Sequence, residues 1–157
     1  METIQEPITG KEKFGVAHLD VNEKIYKALN EFYMAFNSQN FDLMQKNWMN
    51  SKDIAMSNPL GGIKRGWDDI KVVYQRIFKA KVVVYVEFYD YVILEMKDGF
   101  CAVGRERGYV DTAGDKLNLE IRTSRIFVMK NGEYKQVHHH GSIENYELLK
   151  QYQNLLK

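Results

Sequence analysis

One arginine stands in a row of apolar residues. Leu117 to Met129 alternates as a strand does, and one face collects Leu117, Leu119, Ile121, Thr123, Arg125 and Phe127. A guanidinium keeps its charge at any reachable pH, so its burial calls for an acid, an anionic ligand or water. Two readings of Arg125 stay open: an anion-binding group, or one half of a structural salt bridge with Asp90 as candidate partner. Asp90 is out of place by the same test. It shares a face with Val82, Val84, Val86, Phe88, Val92 and Leu94. A lone carboxylate there is either a general base with a raised pKa or a hydrated acid at a bulge or sheet edge. Arg105 and Arg107 share a face with Val103 and Tyr109, while Glu106 points the other way. An Arg105 lying beside Arg125 would complete a two-pronged clamp for a carboxylate or phosphate.

His138, His139 and His140 follow one another, and His138 and His140 share a face. Two histidines fall short of a catalytic metal site, which needs a third ligand and an open position. No metal is therefore expected, and hydrogen bonding in the core or at a subunit contact is the role assigned. There is no glycine-rich phosphate loop and no Gly-x-Ser-x-Gly elbow, so no cofactor is expected either. Cys101 is the single cysteine, which excludes an internal disulfide.

Composition narrows the classes further. Lys+Arg is 22 against Asp+Glu 21, which argues against a nucleic-acid or anionic-membrane surface. No apolar run approaches the roughly 20 residues of a membrane helix. The opening segment lacks the apolar stretch of a secretory signal. The expectation is a cytoplasmic protein. With 157 residues, 45% of them hydrophobic, the chain suits one domain with one core.

The elements that position these side chains follow from periodicity. Residues 1–20 read as an arm and 21–157 as a single domain. Val21 to Ser38 has apolar residues at helical spacing, with Asn22 as a candidate N-cap. Phe41 to Met49 is a second, shorter helix. Asp53 to Ser57 reads as a short strand and Asn58-Pro59-Leu60-Gly61-Gly62 as a turn. Gly66 to Ala80 is a third helix, carrying Trp67 and Tyr74. Then the period changes to two: strands over Lys81–Met96, Phe100–Val110, Leu117–Met129 and Tyr134–Ile143 are separated by glycine-containing turns. Asn145 to Leu156 closes the chain as a helix or tail. This order predicts an α+β fold: three N-terminal helices packed on a curved, mainly antiparallel sheet, a cone with a pocket.

The segment Ile121-Arg122-Thr123-Ser124-Arg125-Ile126-Phe127, the turn at Asn131-Gly132, and Tyr134 through His138-His139-His140-Gly141-Ser142 resemble the C-terminal hairpin of SnoaL-like domains. Within that group, part of the nuclear transport factor 2-like superfamily, they resemble the association domain of calcium/calmodulin-dependent protein kinase II. The resemblance implies an arginine-bearing pocket. The first two of that domain's three arginines fall on Arg105 and Arg125, and the third on Gly141. Ketosteroid isomerases share the fold. Their catalytic aspartate falls on Asn58, their oxyanion-hole aspartate near Ser124 and their first-helix tyrosine near Phe32, so the resemblance implies that isomerase chemistry of that kind fails here.

The leading expectation is a free-standing small-molecule-binding domain. Its pocket would suit a small anionic or polar ligand, a carboxylate among the candidates, with Asn58, Trp67, Tyr74, Asp90, Arg105, Arg125, His138 and His140 as candidate ligand-binding residues. The rival is a small isomerase, lyase or hydrolase using Asp90, His138 or His140 for acid–base chemistry. Apolar residues on both faces of Lys81–Met96 point to a homodimer formed sheet to sheet.

Overall fold

A computed structural model describes residues 5–15 and 18–156. The helices come first. α1 (Val21–Asn37) buries Ile25, Ala28, Leu29, Phe32, Tyr33 and Phe36 on one face. Its start is fixed by Asp20 rather than Asn22. The Glu23 N–H donates to the Asp20 carboxylate at 2.8 Å and the Asp20 N–H donates back to the Glu23 carboxylate at 2.9 Å, a reciprocal cap. α2 (Phe41–Asn47) is capped by Asn40. α3 (Trp67–Lys79) follows Gly66, whose φ of 79° lies in the left-handed region that glycine enters freely.

The sheet has six strands: β1 (Ala55–Ser57), β2 (Lys64–Arg65), β3 (Val83–Met96), β4 (Gly99–Asp111), β5 (Lys116–Lys130) and β6 (Glu133–Ser142), in the order β2-β1-β6-β5-β4-β3. β1 runs parallel to β6, and the other pairs are antiparallel. The fold is the expected α+β cone. β2 is the one strand the periodicity did not indicate, because two residues carry no pattern. α4 (Tyr146–Leu155) closes the chain as a helix.

Two irregularities decide which side chains face the helices. Between Tyr89 and Val92 the β3–β4 register slips, with Asp90 at a φ of 49°. Up to Phe88 the even-numbered residues face inward, whereas beyond the bulge Tyr91 is buried and Val92, Leu94 and Met96 are exposed. A second slip lies between Ile126 and Phe127 of β5 and leaves Val137 of β6 without a partner. It turns His139 inward. Each extra residue inverts the alternation beyond it.

The N-terminal segment runs along the edge strand. Ile8 exchanges backbone hydrogen bonds with Phe88 at 2.8 and 2.9 Å and is itself buried. Asn37, at the end of α1, ties this segment to the sheet, donating to Thr9 and Val86 carbonyls at 3.0 and 2.8 Å and accepting from the Val86 N–H at 2.9 Å. Residues 1–4, 16 and 17 of the expected arm lie outside the described residues.

Candidate functional site

Between the helices and the inner face of the sheet lies a cavity of about 40 Å³. Its apolar walls come from Phe32 and Phe36 of α1, Val73 and Ile77 of α3, Met56 of β1 and Val86 of β3. Polar groups enter from Asn58, Tyr74, Glu106, Arg125, His139 and Tyr152. A water needs roughly 10–15 Å³ by such a measure, so the space holds about three.

Arg125 is the centre of the site and is 1% exposed. Its partner is Glu106, not Asp90. Nη2 donates to Glu106 Oε1 at 3.0 Å, Nη1 to Gln136 Oε1 at 2.9 Å and Nε to the Tyr33 hydroxyl at 3.3 Å. The guanidinium carbon sits 3.5 Å from the centre of the Phe32 ring, a cation–π contact. Three of the five guanidinium N–H groups are thus engaged by Tyr33, Gln136 and Glu106. The network continues outward: Gln136 Nε2 donates to Asn47 Oδ1 at 3.0 Å, and Asn47 Nδ2 to the Ala28 carbonyl at 2.9 Å. One chain of hydrogen bonds therefore ties α1, α2, β4, β5 and β6 together.

Glu106 also accepts from the Tyr33 hydroxyl at 3.1 Å through the same Oε1. Burial, and next the Glu106 carboxylate, hold the Tyr33 phenol well above its usual range, so it stays protonated and donates. Oε2 of Glu106 accepts no hydrogen bond from the described residues. Gly104, two residues before Glu106 on β4, is covered by Tyr91 and Phe88. A Cβ on Gly104 would come within 2.7 Å of the Tyr91 Cβ.

His139 lies opposite Arg125 in the β5–β6 register. Its Nε2 is 2.7 Å from the Thr123 hydroxyl, and its buried Nδ1 has no partner. Burial first, and then the Arg125 charge, push its pKa well below the usual value, so the ring is neutral. Tyr74 donates to the Met56 sulfur at 3.6 Å, and burial pushes its phenol up to about 12. Asn58 folds its Oδ1 back onto the Leu60 N–H at 2.7 Å, fixing the turn at the cavity mouth.

The structure thus brings Asn58, Tyr74 and Arg125 together and sends the other candidates elsewhere. Asp90 sits on the bulge, its side chain 74% exposed and 3.5 Å from Arg105, which is itself on the outer face. Among the described residues no second arginine joins Arg125 in the cavity, so the clamp does not form. His140 is exposed on the outer face, in a groove with Asp90, Arg105 and Arg122. His138 is half-buried, with Nδ1 2.8 Å from the Ala55 carbonyl, and serves the β1–β6 joint. Ser124 also faces the outer groove. Trp67 packs on Phe41 and Trp48 behind the cavity rather than lining it. Asp90, His138 and His140 are therefore not available as acid–base groups in the cavity. The residues that sequence reasoning passed over include Tyr33, Glu106, Gln136, His139 and Tyr152. Glu106 had a usable signal: alternation from Phe100 puts it in a row with Ala102, Gly104, Gly108 and Val110, the same anomaly that marked Arg125. Among the described residues no three of His, Cys, Asp and Glu converge as a metal site, and no helix is long and apolar enough to cross a membrane.

The SnoaL-like domain pattern matches residues 25–146. The chain belongs to the SnoaL-like domain family. Solved structures of the nuclear transport factor 2-like superfamily share its fold. A superfamily member from Salmonella enterica serovar Typhimurium superposes with a TM-score of 0.69 at 18% identity, over 78% of this chain and 89% of that one. A domain from Xanthomonas campestris, provisionally named a calcium/calmodulin-dependent protein kinase II association domain, gives 0.68 at 12% identity, over 87% and 96%. A Streptomyces avermitilis protein, provisionally named a dehydratase of the family, gives 0.67 at 17%, over 76% and 93%. No protein of curated function matches the chain. Most of α4 lies beyond the segment matched by the SnoaL-like pattern, yet its Tyr152 lines the cavity and its Gln153 donates to the Leu60 carbonyl at 2.9 Å.

Proposed function

We propose that the cavity binds a small, mainly apolar molecule carrying one uncharged oxygen, a carbonyl or a hydroxyl. What supports this is the pairing of Arg125 with Glu106 inside the cavity wall. The guanidinium charge is already balanced, Oε2 of Glu106 accepts no hydrogen bond from the described residues, and the buried Nδ1 of His139 has no partner among them. A buried polar atom needs a hydrogen bond, and a neutral ligand supplies one without adding charge. A carboxylate would set a second negative charge beside Glu106. The small volume favours compounds of few atoms, and a larger ligand has to displace Tyr152 or the Asn58–Leu60 turn.

A thermal-shift series tests the reading, since a ligand that binds the folded state raises its melting temperature by mass action. Small ketones and alcohols should stabilise the wild type more than acetate or propionate does. Glu106→Gln leaves Arg125 unbalanced and should reverse that order. No shift with any compound, or an order unaffected by the substitution, would count against the proposal.

The outer face of the sheet supports a second part of the reading, self-association. Val83, Val92, Leu94, Met96 and Val103 are exposed there. A second copy covering this face would remove that apolar area from water.

A further inference from the structure

β3 is the edge of the sheet, and single residues close that edge in place of a neighbouring strand. The Val86 N–H donates to Asn37 Oδ1 at 2.9 Å, and the Val86 carbonyl accepts from Asn37 Nδ2 at 2.8 Å. Phe88 makes the same two-way contact with the backbone of Ile8, at 2.9 and 2.8 Å. Tyr91 makes it with a side chain again: its N–H donates to Gln5 Oε1 and its carbonyl accepts from Gln5 Nε2, both at 3.1 Å. A primary amide carries a donor and an acceptor side by side, so it can pair with an edge residue as a strand would.

These contacts bracket the bulge. Ile8 grips β3 just before it and Gln5 just after it, with Asp90 between them at a φ of 49°. A residue other than glycine enters that left-handed region at a cost and stays there when its surroundings hold it. The gripping segment is itself seated on α1. The Thr9 and Glu12 carbonyls accept from the side-chain amides of Asn37 and Asn30, each at 3.0 Å. Gly10, with a φ of 84°, lies so close to α1 that a Cβ there would be 2.4 Å from the Met34 nitrogen. Residues 5–12 precede the segment 25–146 that the SnoaL-like pattern matches.

What the bulge turns inward leads to Arg125. Tyr91 stacks on Phe88 with ring centres 4.9 Å apart, and Phe88 stacks on Tyr33 at 5.7 Å. The Tyr33 hydroxyl then accepts from Arg125 Nε at 3.3 Å and donates to Glu106 at 3.1 Å. All three rings are buried, and close-packed rings transmit a displacement to one another.

We infer that residues 5–12 are a strap through which the edge of the sheet controls the cavity. Docked, the strap holds the bulge from both sides and keeps Tyr91, Phe88 and Tyr33 stacked behind the Arg125–Glu106 pair. Lifted, it takes the edge partners from Phe88 and Tyr91, the stack loosens, and the Tyr33 hydroxyl no longer holds Arg125 Nε. Whatever lifts the strap thus acts on the cavity without entering it.

Hydrogen exchange of the full chain, followed by NMR without any ligand, tests this. Gly10→Ala sets a methyl group against the α1 backbone and unseats the strap, whereas Gly15→Ala is the control, since nothing lies within 4 Å of the carbon it adds. Rates are compared with those of the slowest β5 amides, which report global opening. On that scale Gly10→Ala should speed exchange of the Ile8, Phe88 and Tyr91 amide protons by about tenfold or more, and the Arg125 Nε proton should follow. Gly15→Ala should change none of them. Gln5→Leu removes only the two contacts to Tyr91 and should speed Tyr91 and Arg125 by a smaller factor. It also carries the test if near-ultraviolet dichroism shows that Gly10→Ala does not fold. Strap amides that are freed while the Arg125 Nε proton keeps its wild-type rate would reduce the strap to a local tether and overturn the inference. Unchanged rates at Ile8 and Phe88 in a folded Gly10→Ala chain would overturn it as well. Neither result bears on whether the cavity binds a ligand, so the binding reading is judged apart.

Discussion

Glu106 and Arg125 meet at 3.0 Å although the register sets neither opposite the other: Glu106 faces Ile121 across the β4–β5 pair, and Arg125 faces Ala102. The arginine has to lean along the sheet to reach its partner.

That reach makes the pair a stability determinant. Glu106→Leu should cost about 3–5 kcal/mol, because it leaves a buried charge unbalanced. Adding Arg125→Met to the same chain should recover most of the loss. Chemical denaturation midpoints decide the matter, and a double variant as weak as the single one would mean that the pair contributes more than charge balance.

Stability should also depend on pH through His139. Its pKa in the fold lies well below the ordinary value of about 6.5 that it regains on unfolding. Between those two values the unfolded chain binds a proton that the folded chain does not. The stabilisation is therefore complete above about pH 6.5 and shrinks as pH falls below it, by at most about 1.4 kcal/mol per pH unit. His138, His140 and Arg125 add to the repulsion of a charged ring. Melting curves from pH 7.5 to 5 should fall less steeply for His139→Gln than for the wild type. Equal slopes would show that another group carries the effect.

Tyr152 sets the size of the cavity. It is 4% exposed and stands among the lining residues. Tyr152→Ala should cost on the order of 3 kcal/mol and widen the set of ligands. Cyclohexanone should then raise the melting temperature of the variant more than that of the wild type. A variant that is destabilised yet keeps the wild-type ligand order would remove Tyr152 from the site.

On the outer face, Leu94→Lys places a charge among Val92, Met96 and Val103. Sedimentation at micromolar concentration should show a dimer for the wild type and a monomer for the variant. A wild-type monomer would end the proposal of self-association.

The fold was legible where period and turn residues agree, and the site only where alternation runs unbroken. Leu117 to Phe127 contains no extra residue on its own strand, so Arg125 is buried on the apolar face as its spacing predicts. Asp90 is misplaced because the bulge it occupies inverts the count beyond Phe88. His138 and His140 are misplaced for the same reason, one residue after Val137. A bulge is a property of two strands together, and a single strand's alternation does not contain it. Glu106 was missed for a different cause. It was set aside as lying opposite Arg105 and Arg107, when that opposite face was the one turned toward the core.

The three consecutive histidines have a consequence for how this site tolerates change. A strand offers the interior every second residue, so gain or loss of a single residue upstream exchanges the set that points in for the set that points out. For most sequences such a shift replaces the interior group with a different chemistry. Across His138, His139 and His140 it replaces one imidazole with another. The position facing Arg125 thus keeps an imidazole through insertion or deletion of one residue in the preceding turn, whereas Gln136, which holds Arg125, gives way to Lys135 or Val137.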